Sequence, residues 1–336
     1  MRRDTVSSVG KLQMFGVAVY LAIWCFASNA AAQQIGKNAR IGYLDAGTRA
    51  GNAALLDILR EELRRAGWIE GKNLSLEYRF GENKGPNRLV ELSAELIRLD
   101  LDVIVVSGTA ATLAAKKATS SIPIVMSSGG DPVGQGIIAS LARPGGNITG
   151  LAGFTAELGG KRLELLKEVV PKSTVVALFV IASDGRAVGG GELQAKAIKA
   201  TGPALGLKVE VFGVTEDAFQ TAVRERFHGF ITTSGPGIFG ERKRIVALAR
   251  KYRLPGIYPQ KEFVDEGGLA SYGVDRPDQL RRTAIYIDRI LKGGKPSEMP
   301  VEQPTKFEFV INLKTAKQIG LVIPPNVLAR ADKVIR

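Results

Sequence analysis

The segment Asp102-Val-Ile-Val-Val-Ser-Gly-Thr-Ala-Ala-Thr112 constrains this chain most. A run of β-branched apolar residues passes through Ser107-Gly108-Thr109 directly into an alanine-rich stretch. Such a run fits a strand buried on both faces, and the alanines fit a helix that starts at once. A helix start carries unpaired N–H groups and a partial positive charge, so this junction suits a carboxylate or a phosphate. The same unit of strand, polar loop and helix recurs along the chain.

Ala39–Leu44 reads as a strand, and Leu55, Leu59 and Leu63 line a helix face. Leu74–Phe80 alternates with period two, and Leu89, Leu92 and Leu96 mark the next helix. Val103–Val106 and Ile122–Val125 are short buried strands. Arg143-Pro-Gly-Gly-Asn147 interrupts the series and is expected to cross between lobes. A second series follows. The spacing predicts helices over Leu163–Val170, Glu192–Ala204 and Ile238–Tyr252, and a helical stripe through Leu280, Ala284, Ile287 and Leu291 that stops at Gly293-Gly294. Strands are predicted over Thr174–Val180, Lys208–Phe212, Gly229–Thr233, Leu254–Tyr258 and Gly268–Tyr272. Alternation of this kind gives an α/β fold with mainly parallel sheets covered on both faces. Two similar series imply two Rossmann-like lobes, with ligands beyond the carboxyl ends of the strands.

The chain begins with Arg2, Arg3 and Lys11, then an apolar run from Met14 to Ala27, then Ala30-Ala31-Ala32. This is the pattern of a cleavable export signal, residues 1–32, cut before Gln33. The run is short for a membrane span. Trp24 before Cys25 is too bulky for a lipoprotein signal. Cleavage removes the single cysteine, and with it any disulfide, thiolate nucleophile or cysteine metal ligand. The net charge of +13 is scattered over helix faces such as Arg60–Arg65 rather than gathered in a stripe. Nucleic-acid binding is therefore not expected; a basic exterior favours anionic ligands or surfaces.

Gly235-Pro-Gly-Ile-Phe-Gly240 matches G-x-G-x-x-G after a strand, and Glu262 lies at a spacing suited to a ribose contact. The motif lies deep in the second lobe with proline in the turn, so a tight turn at the cleft is the expected role, and no cofactor is expected. No Walker loop and no G-x-S-x-G elbow occurs. His228 is the sole histidine, placed where a strand begins, which fits a structural role. Triad chemistry and ordinary zinc sites lack their residues.

Polar residues at strand ends form the candidate ligand site: Ser107, Gly108, Thr109 and Ala110; Ser128 and Asp131; Asp184; Ser234; Tyr258 and Tyr272; with Asp45 at the end of the first strand. A ligand carboxylate suits the N–H groups at Gly108–Ala110. A ligand ammonium suits Asp131 or Asp184. The tyrosines offer flat faces with polar tips for an aromatic or aliphatic side chain.

With these residues in place the chain resembles ABC transporter substrate-binding proteins of the tryptophan/tyrosine-binding type. The resemblance rests on Gly67-Trp-Ile-Glu-Gly-Lys-Asn73, Glu77-Tyr-Arg79, Arg88–Arg98, Asp102–Thr112, Ala115–Thr119, Ile122–Val125, Asp131-Pro-Val-Gly134, Leu141–Gly150 and Gly267–Gly273. It implies the type I periplasmic binding fold: lobe 1 from 36–149 plus 259–296, lobe 2 from 150–258 plus 297–336, and a ligand cleft between them. It implies a monomer in the periplasm that captures a small carboxylate-bearing ligand, such as an aromatic or branched amino acid. Its implied partners are an ABC permease and its ATPase at the inner membrane. Two places depart from the family pattern, Ala182-Ser-Asp-Gly185 in place of Asn-Pro and Gly235-Pro236 in place of Asp-Pro. Both face the expected cleft, so the ligand is open to difference. A periplasmic sensor for a membrane receptor, and an exported α/β enzyme, are the alternative readings.

Overall fold

The computed structural model describes residues 38–336 except Phe154, Asp184, Gly185, Val188 and Gly189; the expected export signal lies outside the described residues. The first sheet contains β1 (Ala39–Asp45), β2 (Leu74–Phe80), β3 (Val103–Ser107), β4 (Ile124–Ser128) and β5 (Ile148–Gly150). Its order is β2-β1-β3-β4-β5, parallel throughout. Parallel strands demand cover on both faces. On one face lies α1 (Arg49–Arg65), which buries Leu55, Leu56, Leu59 and Leu63. On the other lie α2 (Pro86–Ile97) and α3 (Thr109–Ala118), which pack Leu89, Leu92, Leu96, Ala111 and Ala115 against Leu44, Ile104 and Val106.

The chain crosses into the second lobe through Leu151–Gly153. The turn at Arg143–Asn147 does not make this crossing, contrary to the sequence expectation. Asn147 instead ties itself to the first sheet: its side-chain amide donates to Thr119 O and Ile122 O, and β5 follows with Ile148 and Thr149 buried. The second lobe holds α4 (Thr155–Val169), β6 (Val175–Val180), the small hairpin β7 (Ala182–Ser183) and β8 (Arg186–Ala187), and α5 (Gly190–Thr201). It continues with β9 (Lys208–Gly213), α6 (Glu216–Arg224), β10 (Phe230–Thr232), α7 (Pro236–Gly240), α8 (Arg242–Lys251), β11 (Gly256–Tyr258), α9 (Lys261–Asp265) and β12 (Ala270–Val274). The predicted helix over 238–252 is thus two helices broken at Glu241.

From Asp275 the chain returns to lobe 1 as α10 (Arg276–Leu291), whose buried Leu280, Ala284, Ile287 and Leu291 pack beside α1 over β3, β4 and β5. Trp68 Nε1 donates to Asp288 Oδ1 at 2.9 Å, which fixes α10 to the turn after α1. The sequence division placed 259–296 wholly in lobe 1. In the structure β12 pairs with β11 and with β13 (Phe307–Asn312), so 259–274 stays with the second sheet and only α10 returns. Two elements follow β13, α11 (Leu313–Gln318) and α12 (Pro325–Leu328), and β14 (Lys333–Ile335) closes the edge.

The second sheet runs β14-β13-β12-β11-β10-β6-β9. Within it β9-β6-β10-β11-β12 repeats the winding of the first sheet, and β13 is antiparallel to β12. One face is an aromatic cluster in which Phe179 stacks on Phe219 at 4.1 Å and meets Phe230 edge-on. The crossing segments support one another: Glu302 N–H donates to Gly150 O, Ala152 N–H to Glu302 O, and Thr149 Oγ1 to Met299 O. No helix among the described residues is long and apolar enough to cross a membrane.

Candidate functional site

In a doubly wound sheet, neighbouring strands whose connections leave in opposite directions open a crevice at their carboxyl ends. In the first sheet that point lies between β1 and β3, and Asp45 and Ser107 are register partners there. In the second it lies between β6 and β10, which is followed by Thr233 and Ser234. Each third strand runs into a Ser-Gly turn, Ser107-Gly108 in one lobe and Ser234-Gly235 in the other. Both glycines hold positive φ, 86° and 142°. The two turns face each other: a Cβ on Gly108 would lie 3.0 Å from Pro236 Cδ. Between the lobes is a cleft with about 160 Å3 of free space, lined from both sheets.

The lobe 1 wall is the start of α3. Gly108 caps this helix with no side-chain acceptor, whereas Thr48, Thr215 and Asp275 each cap their helices by accepting a backbone N–H. The first turn of α3 therefore presents N–H groups and positive potential to the cleft, with no capping side chain and no acidic residue in that turn. Thr109 Oγ1 accepts from Gly130 N–H, and Gly108 N–H donates to Ser128 O, which joins this turn to the end of β4.

The lobe 2 wall is built on Arg162 of α4. This guanidinium is fully buried and borders the cleft. It donates to Ser234 Oγ at 3.1 Å and to Tyr272 O at 3.3 Å, and its Nε has no partner. Burial draws its pKa down to about 9. Gln194 and Ser234 are locked reciprocally: Ser234 N–H donates to Gln194 Oε1 at 2.8 Å, and Gln194 Nε2 donates to Ser234 O at 3.0 Å. Because Ser234 Oγ accepts from Arg162, its hydroxyl hydrogen is left to donate elsewhere.

Of the residues expected at the site, Ser107, Gly108, Thr109, Ala110, Ser128 and Ser234 line the cleft. Asp45 lies beneath its floor, fully buried. Its Oδ1 accepts from Gly47 N–H at 2.6 Å and from Asn52 Nδ2, and its Oδ2 accepts from Tyr43 OH. Burial pushes its carboxyl up to about 6. Asp131 does not line the cleft: it is exposed, and its Oδ1 is used by the N–H groups of Val133 and Gly134 in the local turn. Tyr258 is core, 1 % exposed, stacked on Phe263 at 4.9 Å and edge-on to Phe230. Tyr272 packs between Phe307 and Phe309 and offers the site only its carbonyl, to Arg162. Asp184 lies outside the described residues. His228 Nδ1 accepts from Thr174 N–H at the entry to β6, a structural contact.

The sequence reading missed Arg162, Gln194, Gln260, Arg276 and Gln279, all of which line the cleft. One signal was present for Arg162. It stands four and seven residues before Leu166 and Val169, in register with the buried stripe of its helix, where a charge is unusual. Gly235–Gly240 forms a turn and the short α7, with Pro236 against Gly108 at the cleft mouth. No group of three or more metal-ligating side chains occurs among the described residues.

Two doubly wound lobes joined by three crossings, with facing helix-capped turns around one small cavity, define a protein that holds a small molecule between its lobes. Comparison with known proteins agrees. Residues 51–335 match the family described as ABC transporter substrate binding protein, and the chain belongs to that family. It is 24% identical over 264 residues to the tyrosine-binding protein of Clostridioides difficile, an alignment that covers 77% of this chain and 74% of that one. Among solved structures it resembles a conserved domain protein of Vibrio cholerae, with a TM-score of 0.79, 25% identity, and coverage of 89% of this chain and 100% of the other. It also resembles a Streptococcus pneumonia ABC domain in complex with L-Trp, with a TM-score of 0.77 and the same identity and coverage. A type I binding protein for leucine from Thermotoga maritima shares the fold at 13% identity and a TM-score of 0.51.

Proposed function

We propose that this protein is the exported solute-binding component of an ABC importer. It captures a small carboxylate-bearing molecule in the interlobe cleft, performs no covalent chemistry on it, and hands it to a membrane permease. The observation that carries the reading is the facing pair of anion-seeking groups, the start of α3 with no side-chain cap on one lobe and, on the other, the buried Arg162, whose Nε has no partner among the described residues. A carboxylate between them satisfies both and draws the lobes together, so that binding shifts an open–closed equilibrium. The tyrosine-binding relative and the L-Trp complex support a carboxylate-bearing ligand. The leader expected over residues 1–32 supports placement outside the cytoplasm.

A thermal-shift screen of amino acids, organic acids and nucleosides tests capture, because a ligand that binds only the folded state raises its melting temperature with occupancy. At least one compound is expected to raise it and to be recovered unchanged. A blank screen, or a chemically altered ligand, overturns the reading. Ligand uptake by vesicles that carry a cognate permease and ATPase, dependent on added binding protein, tests delivery.

A further inference from the structure

A folded protein seldom buries a polar side-chain atom without a partner, because nothing then offsets its lost hydration. The described cleft wall holds three such atoms: Nε of Arg162, Nε of Arg276 and Oε1 of Gln260. The two nitrogens are donors and suit a carboxylate. The oxygen is an acceptor and suits the opposite partner, an N–H or O–H group.

Gln260 follows β11 and stands at the cap position of α9, with extended backbone at φ −143° and ψ 152°. Its main-chain carbonyl accepts from Phe263 N–H, but its side chain makes no bond to the helix. Thr48, Thr215 and Asp275, at the same position of their helices, each accept a backbone N–H with the side chain. Glutamine is a poor residue for that task, and here it does not perform it. The residue is only 8 % exposed, and neither end of its amide is bonded to a described residue. Gln194, another amide of the same wall, shows the contrast: both of its ends are held by Ser234. The Gln260 amide is therefore free to turn about its last bond and set its oxygen toward a bound molecule.

Its place on the wall is beside the anion-seeking group. Arg162 donates to Tyr272 O. The next residue, Gly273, lies against Pro259 O so closely that a Cβ would not fit, and Pro259 leads directly into Gln260. Guanidinium and amide are thus presented from adjoining backbone. A carboxylate that meets Arg162 and the hydroxyl hydrogen of Ser234 has its donors supplied. What Gln260 adds to that wall is an acceptor.

From this open amide beside Arg162, we infer that Gln260 is a specificity-determining residue: its Oε1 accepts a hydrogen bond from an N–H or O–H group that the ligand carries close to its carboxylate. This rests on the solute-capture reading above and names the residue that reads the ligand's own donor.

Sets of acids that differ at one carbon test the inference: leucine, 2-hydroxyisocaproate and isocaproate; phenylalanine, 3-phenyllactate and hydrocinnamate; aspartate, malate and succinate. Each is titrated calorimetrically at neutral pH into the purified wild-type protein and into Q260M. In the wild type, at least one ammonium- or hydroxyl-bearing member is expected to bind about tenfold or more tightly than the bare acid of its set. In Q260M that preference is expected to disappear through weaker binding of the donor-bearing member, with the bare acid unchanged. Which member leads its set tells an ammonium from a hydroxyl.

A preference that Q260M leaves intact, or an equal weakening of all members of a set, overturns the inference while capture stands. A bare acid that binds the wild type as tightly as its partners does the same. If no member of any set binds while another class of compound does, the inference alone falls. If no compound of any class binds, both fall. The ligand-free melting temperature of Q260M is expected to hold or rise, since an unpaired buried amide is removed. Where Q260M does not fold, Q260N replaces it: its amide is drawn back by one methylene, and the same loss of preference is expected.

Discussion

Asp45 and Arg162 carry ionisable groups far from water, and their consequences for stability have opposite signs. Asp45 in the folded protein holds its proton up to about 6, above the ordinary carboxylate value. Between that value and about 6 the folded state keeps a proton that the unfolded chain has released, so stability falls as pH rises through the window and levels off above it. D45N removes the dependence. Its chemical-denaturation profile is expected to be flatter by up to about 3 kcal/mol across the window. Arg162 is drawn down to about 9, below any unfolded arginine. Above about 9 the folded state gives up the proton first, so ligand-free stability rises with pH while the hold on an anion weakens. Calorimetric affinity for a bound carboxylate is expected to drop towards tenfold per pH unit above about 9 in the wild type, a trend that R162M lacks.

At the scale of elements, the most exacting position is the turn between β3 and α3. Gly108 has φ of 86°, and a side chain there would press on Pro236. G108A is expected to cost about 1–2 kcal/mol in urea denaturation through backbone strain. It should also weaken ligand binding further than that loss implies, since the lobes can no longer meet at this point. The strands themselves were legible, because a run such as Val103-Ile-Val-Val106 has no other use than a doubly covered sheet. The residues just past them, Ser107–Ala110, Ser128 and Ser234, were legible for the same reason. Gln194 was not, because it reaches the cleft from a helix, where a lone polar residue reads as a solvated face; Arg162 left only the trace of a charge in line with its helix's buried stripe, which says that it is buried and not that it borders a cleft. Tyr258 and Tyr272 look from the sequence like ligand platforms. They are claimed instead by phenylalanines on other elements, Phe230 and Phe263 for one and Phe307 and Phe309 for the other. The turn at Arg143–Asn147 and the true crossing at Leu151–Gly153 differ only in which sheet edge accepts the next strand, and local composition carries no record of that.

In the whole molecule the lobes touch at the cleft mouth. Arg242 Nη1 donates to Gly51 O at 2.9 Å across the gap, and its guanidinium rests on Phe239 at 4.6 Å. Gly51 admits the approach, since a Cβ there would lie 2.9 Å from Gly240 Cα. The lobes are held together here in part by one part-buried hydrogen bond from a charged donor, of the order of 1.5–3 kcal/mol. R242A is expected to enlarge the radius of gyration of the ligand-free protein in small-angle scattering and to lower ligand affinity by about tenfold, with the ligand contacts themselves untouched.

The clasp between Trp68 and Asp288 has a bearing on how the chain is made. The two partners are 220 positions apart, so a nascent polypeptide that has emitted all of β1 to β5 still lacks the helix that seals their exposed side. Vectorial synthesis therefore runs well ahead of completion of the amino-terminal half. The amino-terminal half therefore stays unfinished until most of the chain has been made.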